Sequence, residues 1–287
     1  GQGVKIFSLV SQQCRKEGFL IPVIKYDKED INGPDNFART EKDNVEMFEY
    51  GEDCEEDVVE GDGGYEGAIV LKPQPGIYLD TQIVVLDYAS LYPSSMISEN
   101  LSHDSIVLEN DAESSKYLGE PGIGELKKLG YGYEDITHDV YKWIDPNIKS
   151  KGKMKVGVKT CRFVQPLDGS KGVIPNKLRD LLNARKNTRK LIKFKTLEFN
   201  VESMESKSGL IDEKDGVYNL TQIDGSTESF DKSIVESIKD TYSEFEKSVF
   251  DGLQLAFKMT ANSLYGQLGA STSPIFLKDI AASTTAT

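Results

Sequence analysis

Apolar positions recur with helical spacing at the head of the chain. Val4, Ile6, Phe7 and Val10 predict a helix, Gly18 its stop, and FLIPVI (19–24) a return to extended chain as a strand. From about Tyr26 to Gly64 the chain is polar, acidic and poor in periodicity, ending in GDGG, and reads as a linker or mobile loop. YEGAIVLKPQPGIYL (65–79) reads as strand, turn, strand. IVVL (83–86) is a short continuous apolar run, the mark of a strand buried on both faces, with a helix start expected at Pro93. Residues 104–166 are mixed, with a β-hairpin expected near VGVKTCRFVQP. A helix is predicted from about Asn176 to Lys195, started by Pro175 and Asn176. A polar, acidic insertion over roughly 197–235 separates it from a second helix, about Ser233 to Tyr265, with a break at Asp251-Gly252. The Gly266 and Gly269 region then turns the chain into a last helical piece. No internal repeat is present.

Composition refines this picture. The 287 residues are 38% hydrophobic and 28% charged, as in a globular protein with a sizeable core. No apolar run approaches the roughly 18 residues that span a bilayer. The first residue is Gly1 and the last, Thr287, falls within a predicted helix, so the chain reads as an internal segment of something longer. The cysteines Cys14, Cys54 and Cys161 form no CxxC pair, and His103 and His138 form no HExxH. These spacings argue against a zinc site or a disulfide framework and for a reducing, intracellular compartment.

A net charge of −13 opposes a nucleic-acid partner only on average. Lys149–Lys195 holds fifteen Lys or Arg against Asp168 and Asp180, a balance of +13. Residues 41–62 hold eleven acids and the single base Lys42, and residues 196–257 hold fourteen acids and five lysines. Exposed charges are screened beyond about 8 Å at physiological salt, so the basic block is a candidate polyanion surface whatever the total.

Three constellations can carry chemistry. In IVVLDYASLYPSSM (83–96), Asp87 stands at the end of the expected strand, where phosphoryl-transfer sites hold Mg²⁺, and the turn that follows presents backbone N–H groups to an anion. An Asp there also serves simply as a turn former. On the basic helix, Lys177, Arg179, Arg185, Lys186, Arg189, Lys190 and Lys193 cluster, and Arg185 and Arg189, four apart, share one face suited to phosphate oxygens; a solvated basic face is the plainer reading. In LAFKMTANSLYG (255–266), Lys258 and Asn262 are again four apart, with Tyr265 one turn further; an amphipathic helix would also produce this. A GxxxxGK[ST] loop, a GxSxG elbow and a GxGxxG fingerprint are absent.

The order of these motifs carries more than any one of them. DYASLYPS resembles the DxxSLYPS signature of the family B DNA polymerases and KMTANSLYG their KxxxNSxYG signature. GVIPNKLRDLLNARKNTRKLIK between them resembles the first fingers helix of that family. YEGAIVLKPQPGIY is similar to its YxGG-type segment, with Ala68 in place of the second glycine, and GQGVKIFSLV…GFLIPVI resembles the stretch joining exonuclease domain to palm. The likeness covers almost the whole chain and is greatest to polymerases of large DNA viruses of algae and protists.

The resemblance implies an α+β fold: a partial polymerase palm of antiparallel sheet with helices, plus helical-hairpin fingers. Residues 1–64 would link exonuclease domain and palm, with the acidic linker at 26–64. Residues 65–166 would be the first part of the palm and 167–270 the fingers, their acidic insertion at about 197–235 forming the fingertip. Residues 271–287 would begin the return to the palm.

It also implies roles. Asp87 would bind two Mg²⁺ ions with the carbonyl of Tyr88. Ser90 and Leu91 would offer backbone N–H groups to the triphosphate, and Tyr92 would reject a 2′-hydroxyl. Arg185, Arg189 and Lys258 would grip the triphosphate, Lys258 also acting as acid. Asn262 would orient the nucleotide, and Tyr65, Gly67, Tyr265 and Gly266 would lie along the DNA.

The implied activity is template-directed DNA synthesis from dNTPs on primer–template DNA, in a nucleus or a cytoplasmic virus factory, without a membrane partner; no processivity factor is identifiable. The family's second carboxylate motif, a YGDTDS-like hairpin, is not in these residues, and Asp279 in FLKDIA is no substitute, so the segment alone is expected to be inactive. The rival reading is a catalytically silent homologue that binds nucleic acid as a structural subunit. An RNA-synthesising enzyme is disfavoured by Tyr92.

Overall fold

The computed structural model describes residues 2–20, 65, 67, 71–80, 82–109, 113–145, 148, 152–201 and 203–287. Within them the fold is α+β, with six α-helices and two antiparallel sheets, in two compact units: Gly1–Leu178 with Asn262–Thr287, and Arg179–Ala261.

The first unit opens with α1 (Gln2–Glu17), as its periodicity predicts. Ile6, Val10 and Cys14 are its buried stripe, while Val4 is exposed. Gly18 adopts φ +79°, and Phe19 N–H donates to the Cys14 carbonyl at 2.9 Å, a left-handed stop that glycine accommodates without strain. α2 (Leu91–Ser98) and α3 (Gly119–Lys128) follow. The expected hairpin is β1 (Tyr131–Trp143) and β2 (Lys153–Pro166), antiparallel, with a bulge between Val140 and Tyr141. Ile136, His138 and Val140 alternate inward on β1, and Cys161 and Phe163 are buried on β2. α4 (Val173–Leu191) begins in this unit. α5 (Glu244–Leu268) ends in it, and α6 (Lys278–Ala286) packs on α2 and β1.

The start of α4 is held from a distance. The Gly172 N–H donates to Asn100 Oδ1 at 2.7 Å, Val173 N–H to the Asp104 carboxylate at 3.2 Å and Ile174 N–H to Ser102 Oγ at 3.2 Å. Three side chains from one short segment thus take up amides that a helix N-terminus leaves unpaired. α4 therefore starts before Asn176, with Pro175 inside its first turn, where it has no intrahelical donor to lose; Pro93 sits likewise inside the first turn of α2. A second buried knot is Arg162, which is 6% exposed. Its Nε and Nη2 bond Asp135 at 2.7 and 2.6 Å, and its Nη1 bonds the carbonyls of Tyr117 and Gly119 at 3.0 and 2.9 Å.

The second unit contains most of α4 and α5 and a five-stranded antiparallel sheet: β3 (Lys195–Phe199), β4 (Lys207–Lys214), β5 (Val217–Thr221), β6 (Thr227–Asp231) and β7 (Val235–Asp240), in the order β6-β5-β4-β3-β7. Leu197, Phe199, Leu220 and Phe230 form its core, with Met204, Ile211, Tyr218, Ile234 and Val235 packed around them. The acidic insertion is thus a small sheet with its own apolar interior. Asp215 and Gly216, both at positive φ (51° and 80°), make the β4–β5 turn, the backbone a tight hairpin requires.

Several expectations change. Residues 233–240 are not helix: β7 pairs with β3, and α5 starts eleven residues later than predicted, at Glu244. Ser243 explains this, because its hydroxyl and N–H pair with Glu246 in a capping box, while Ser233 instead closes an Asp231 turn. α5 is not broken at Asp251-Gly252 and runs through Gly266 to Leu268. α4 ends at Leu191, short of Lys195, which opens β3.

IVVL does not form a buried strand. Residues 82–88 pair with no other described segment, and Val84, Val85 and Leu86 are 77%, 86% and 90% exposed. A strand exists only with a hydrogen-bonding neighbour. Residues 71–80 likewise form no strand among the described residues. The predicted linker and most of FLIPVI lie outside the described residues, as do residues 68–70.

Candidate functional site

The chain between the apolar run and α2 is bent sharply. Ser90 adopts φ 58°, ψ 57°, a left-handed conformation that costs a non-glycine residue roughly 1–2 kcal/mol. It is held there by Ser94, whose N–H donates to the Ser90 carbonyl at 2.9 Å and whose hydroxyl donates to the Ala89 carbonyl at 3.0 Å. The Ser90 side chain does not cap α2, and among the described residues no side chain accepts from the N–H groups of Leu91 and Tyr92. Asp87, three residues upstream, is exposed and makes no ion pair with any described residue; Tyr88 beside it is 79% exposed.

Tyr92 leads from this turn to the second motif. Its ring stacks on Tyr265 of α5, with centroids 4.3 Å apart and planes at 25°. Tyr265 is also hydrogen-bonded to Tyr65; burial first, and then that bond, push its phenol above the usual tyrosine range. Tyr65 in turn fits against Gly269, where an added Cβ would collide with its hydroxyl. Residues from three predicted motifs, Tyr65, Tyr92 and Tyr265, therefore meet within the first unit. Sequence reading missed Gly269; a glycine after a helix is the ordinary mark of a helix end and says nothing of an aromatic ring over it. Gly67 and Gly266 are exposed, with no neighbour within 4 Å of an added Cβ. Asn262 is exposed on α5, one turn before Tyr265.

The second unit carries the basic residues. Leu182, Arg185, Lys186, Arg189, Lys190 and Lys193 of α4 line a groove with Leu210 of β4: an apolar floor rimmed by five cationic side chains. Arg185 is half-buried, and its Nε donates to Gln254 Oε1 of α5 at 3.2 Å; Gln254 in turn donates to Asp251 at 3.1 Å. Arg189 and Lys258 are exposed. Such a groove suits a polyanion, with paired guanidinium groups matching phosphate oxygens. Gln254 had no signal in the sequence, because its role comes from tertiary pairing alone. Asp279 sits in the first turn of α6, and its Oδ2 is bound to Lys159 Nζ at 2.9 Å.

Comparison with known proteins gives one consistent answer. The family model described as DNA polymerase family B matches residues 1–210 and 231–287, leaving out a stretch of the second unit's sheet from within β4 to within β6. A DNA polymerase of Pyramimonas orientalis virus is 47% identical over 287 residues, all of this chain and 20% of that protein. A DNA polymerase of Phaeocystis pouchetii virus is 34% identical over 295 residues, again all of this chain and 21% of the relative. The DNA polymerase delta catalytic subunit of Dictyostelium discoideum is 28% identical over 270 residues, covering 94% of this chain and 14% of that subunit. The chain spans about a fifth of the length of the viral relatives it matches.

Proposed function

Because this chain belongs to DNA polymerase family B, we propose that it carries part of the site at which such an enzyme adds deoxynucleotides to a primer on a DNA template. The observation that carries the reading is the Tyr92–Tyr265 stack. It brings DYASLYPS and KMTANSLYG, remote in sequence, against each other, as a single nucleotide site built from both would require.

In this reading residues 65–166 are the first part of the palm and 167–270 the fingers, with the five-stranded sheet as fingertip and 271–287 the start of the return to the palm. Ser90 and Leu91, at the bend that opens α2, face the triphosphate through backbone N–H groups. Arg185, Arg189 and Lys258 bind its phosphates, and Lys258 protonates the leaving pyrophosphate. Tyr92 screens the sugar, Asn262 orients the nucleotide, and Tyr65, Gly67, Tyr265 and Gly266 lie along the primer–template. The sheet, where acids outnumber lysines, is kept from DNA by like charge.

Family B polymerases use divalent ions, generally Mg²⁺. The donors here fit one: the Asp87 carboxylate and the Tyr88 carbonyl are hard oxygen ligands, and the carboxylate is exposed and free of any described ion pair. Bound there, the ion would supply charge neutralisation at the phosphates. A pair of ions needs at least one more carboxylate, and Asp279 does not provide it, standing in the first turn of α6 and not on a hairpin between strands. The 287 residues alone are accordingly expected not to extend a primer. The exposed IVVL run fits the same view, since a large apolar patch marks a surface that another segment covers.

The test is a chimera in which this chain replaces the matching fifth of the Pyramimonas orientalis virus polymerase. It should extend a primer on a template, and Asp87→Asn should lower extension by roughly a thousandfold while leaving primer–template binding intact. Equal extension by the Asp87→Asn chimera would refute the assignment. Tyr92→Ala should raise ribonucleotide incorporation in the same protein.

A further inference from the structure

Away from these residues, the first unit buries a second cluster of chemically capable side chains where β1, β2 and α6 meet. His138 of β1 is 7% exposed, Cys161 of β2 is 4% exposed, and Asp279 of α6 is half-buried. The Cys161 sulfur lies 3.7 Å from His138 Nε2, which lies 3.9 Å from Asp279 Oδ1; the three donor atoms all fall within 4.8 Å of one another. We propose that His138, Cys161 and Asp279 form a binding site for a borderline divalent ion, with Zn²⁺ as the best match, that ties the three elements together.

Four features support this. A tetrahedral ion with a metal–sulfur distance of about 2.3 Å and metal–nitrogen and –oxygen distances of about 2.0 Å sets its donors roughly 3.3–3.6 Å apart. The two measured pairs need to close by about 0.2 and 0.6 Å, and the sulfur–oxygen pair, which lies within 4.8 Å, by up to about 1.3 Å. One nitrogen, one sulfur and one carboxylate oxygen form the kind of mixed set that takes zinc rather than magnesium or calcium.

The imidazole is oriented correctly: Nδ1 faces the Asp139 carbonyl at 3.3 Å, so that nitrogen carries the proton and Nε2 presents its lone pair to the cluster, the arrangement a metal-binding histidine commonly adopts. The fourth feature is Ser283, one turn beyond Asp279 on the same face of α6. It is fully buried next to Cys161, close enough to favour its thiolate, yet its hydroxyl finds no hydrogen-bond partner of normal geometry. A buried polar oxygen without a partner calls for an explanation, and an ion at the cluster, or a water on that ion, provides one.

Charge sets the terms of binding. Burial pushes the Cys161 thiol up to about 12 and the His138 imidazole down, so without an ion both are neutral. Uptake exchanges the thiol proton for the ion: the S–H bond breaks, the sulfur–metal bond forms, and the proton leaves to solvent. Lys159 holds the other Asp279 oxygen, Oδ2, at 2.9 Å. It leaves Oδ1 available but places a positive charge near the ion, so it weakens binding without blocking it. Sequence spacing carries no trace of the site, because each ligand comes from a different element.

The test titrates the full 287-residue chain with Co²⁺ alone. One equivalent should bind and produce a near-ultraviolet thiolate-to-cobalt charge-transfer band, which Zn²⁺ then removes by displacement. The band should survive replacement of Cys14 and Cys54 by serine and disappear in Cys161→Ser. No band in the native chain, or a band that persists in Cys161→Ser, would overturn the site. Should Cys161→Ser unfold, Lys159→Met decides: loss of the competing ammonium should tighten Co²⁺ binding by ~10-fold or more, and equal or weaker binding would count against the proposal.

Discussion

Replacing Gly172 with alanine should loosen the start of α4, and the structure allows the cost to be worked out. A Cβ at Gly172 would stand 2.8 and 2.9 Å from the two Asp104 carboxylate oxygens and 2.9 Å from Ser102 Cβ. These are closer than side-chain carbons ordinarily come, and Ser102 Cβ cannot yield without moving its backbone. Asp104 is in turn fixed by the Ser102 hydroxyl and the Val173 N–H. Forcing the groups apart costs about 1–3 kcal/mol as overpacking, and the displaced cap adds about 1 kcal/mol. Against this, alanine restricts the unfolded chain and returns about 0.4–1 kcal/mol. The net loss is about 1–3 kcal/mol. Thermal and urea denaturation followed by far-ultraviolet circular dichroism should show it, at about 2–4 °C per kcal/mol, with faster hydrogen exchange at the Val173 and Ile174 amides. In an Asp104→Ala background the same change should cost less, because the carboxylate is half of the collision. A Gly172→Ala midpoint equal to or above that of the native chain would refute this account of how α4 is anchored.

Arg162→Met should destabilise the first unit by about 3–5 kcal/mol, since it strands two carbonyls and a carboxylate around a buried position; a loss below 1 kcal/mol in denaturant melts would contradict that. Burial pushes His103 down to about 4, outweighing the opposite pull of its bond to the Ile275 carbonyl, so the unfolded chain takes up a proton below about 6.5 that the folded chain refuses. The stability linked to it is complete above pH 6.5 and falls as pH drops towards 4, by at most about 3 kcal/mol for a half-buried ring; His103→Gln should flatten that part of the stability–pH curve. Gly269→Ala should displace Tyr65 and break its bond to Tyr265, and an ultraviolet pH titration should then show a phenol returning towards the usual range near 10.

Sequence pattern reached the parts of this fold that depend on local periodicity or a local stop. α1 with its Gly18 cap, the β1–β2 hairpin, the body of α4 and the motif-bearing half of α5 were legible because their signals lie within a few residues of one another. The sheet of the second unit was hidden by composition. Its acids suggested loose polar chain, although Asp215-Gly216 and Asp224-Gly225 are turn signals of a meander, with Leu197, Phe199, Leu220 and Phe230 as its core. The α5 start was legible as well, in the Ser243–Glu246 spacing, and was lost to an earlier serine. Other features left no local trace: the caps that reach α4 from Asn100, Ser102 and Asp104, the ring of Tyr65 over Gly269, and the Arg185–Gln254 bond all join residues remote in sequence.

The candidate site divides along the same line. The order of the motifs identified the family, but their order says nothing about strain. Ser90 holds a left-handed backbone that glycine would adopt freely; among the described residues two bonds from Ser94 hold the bend, and Pro93 and Met96 of the helix that follows are buried. Relaxing the bend would swing the first amides of α2 and the Tyr92 ring together, because all of them follow the same two dihedral angles. The bend therefore links the leading amides of α2 to the Tyr92–Tyr265 stack, so a change at Ser90 is expected to disturb both together.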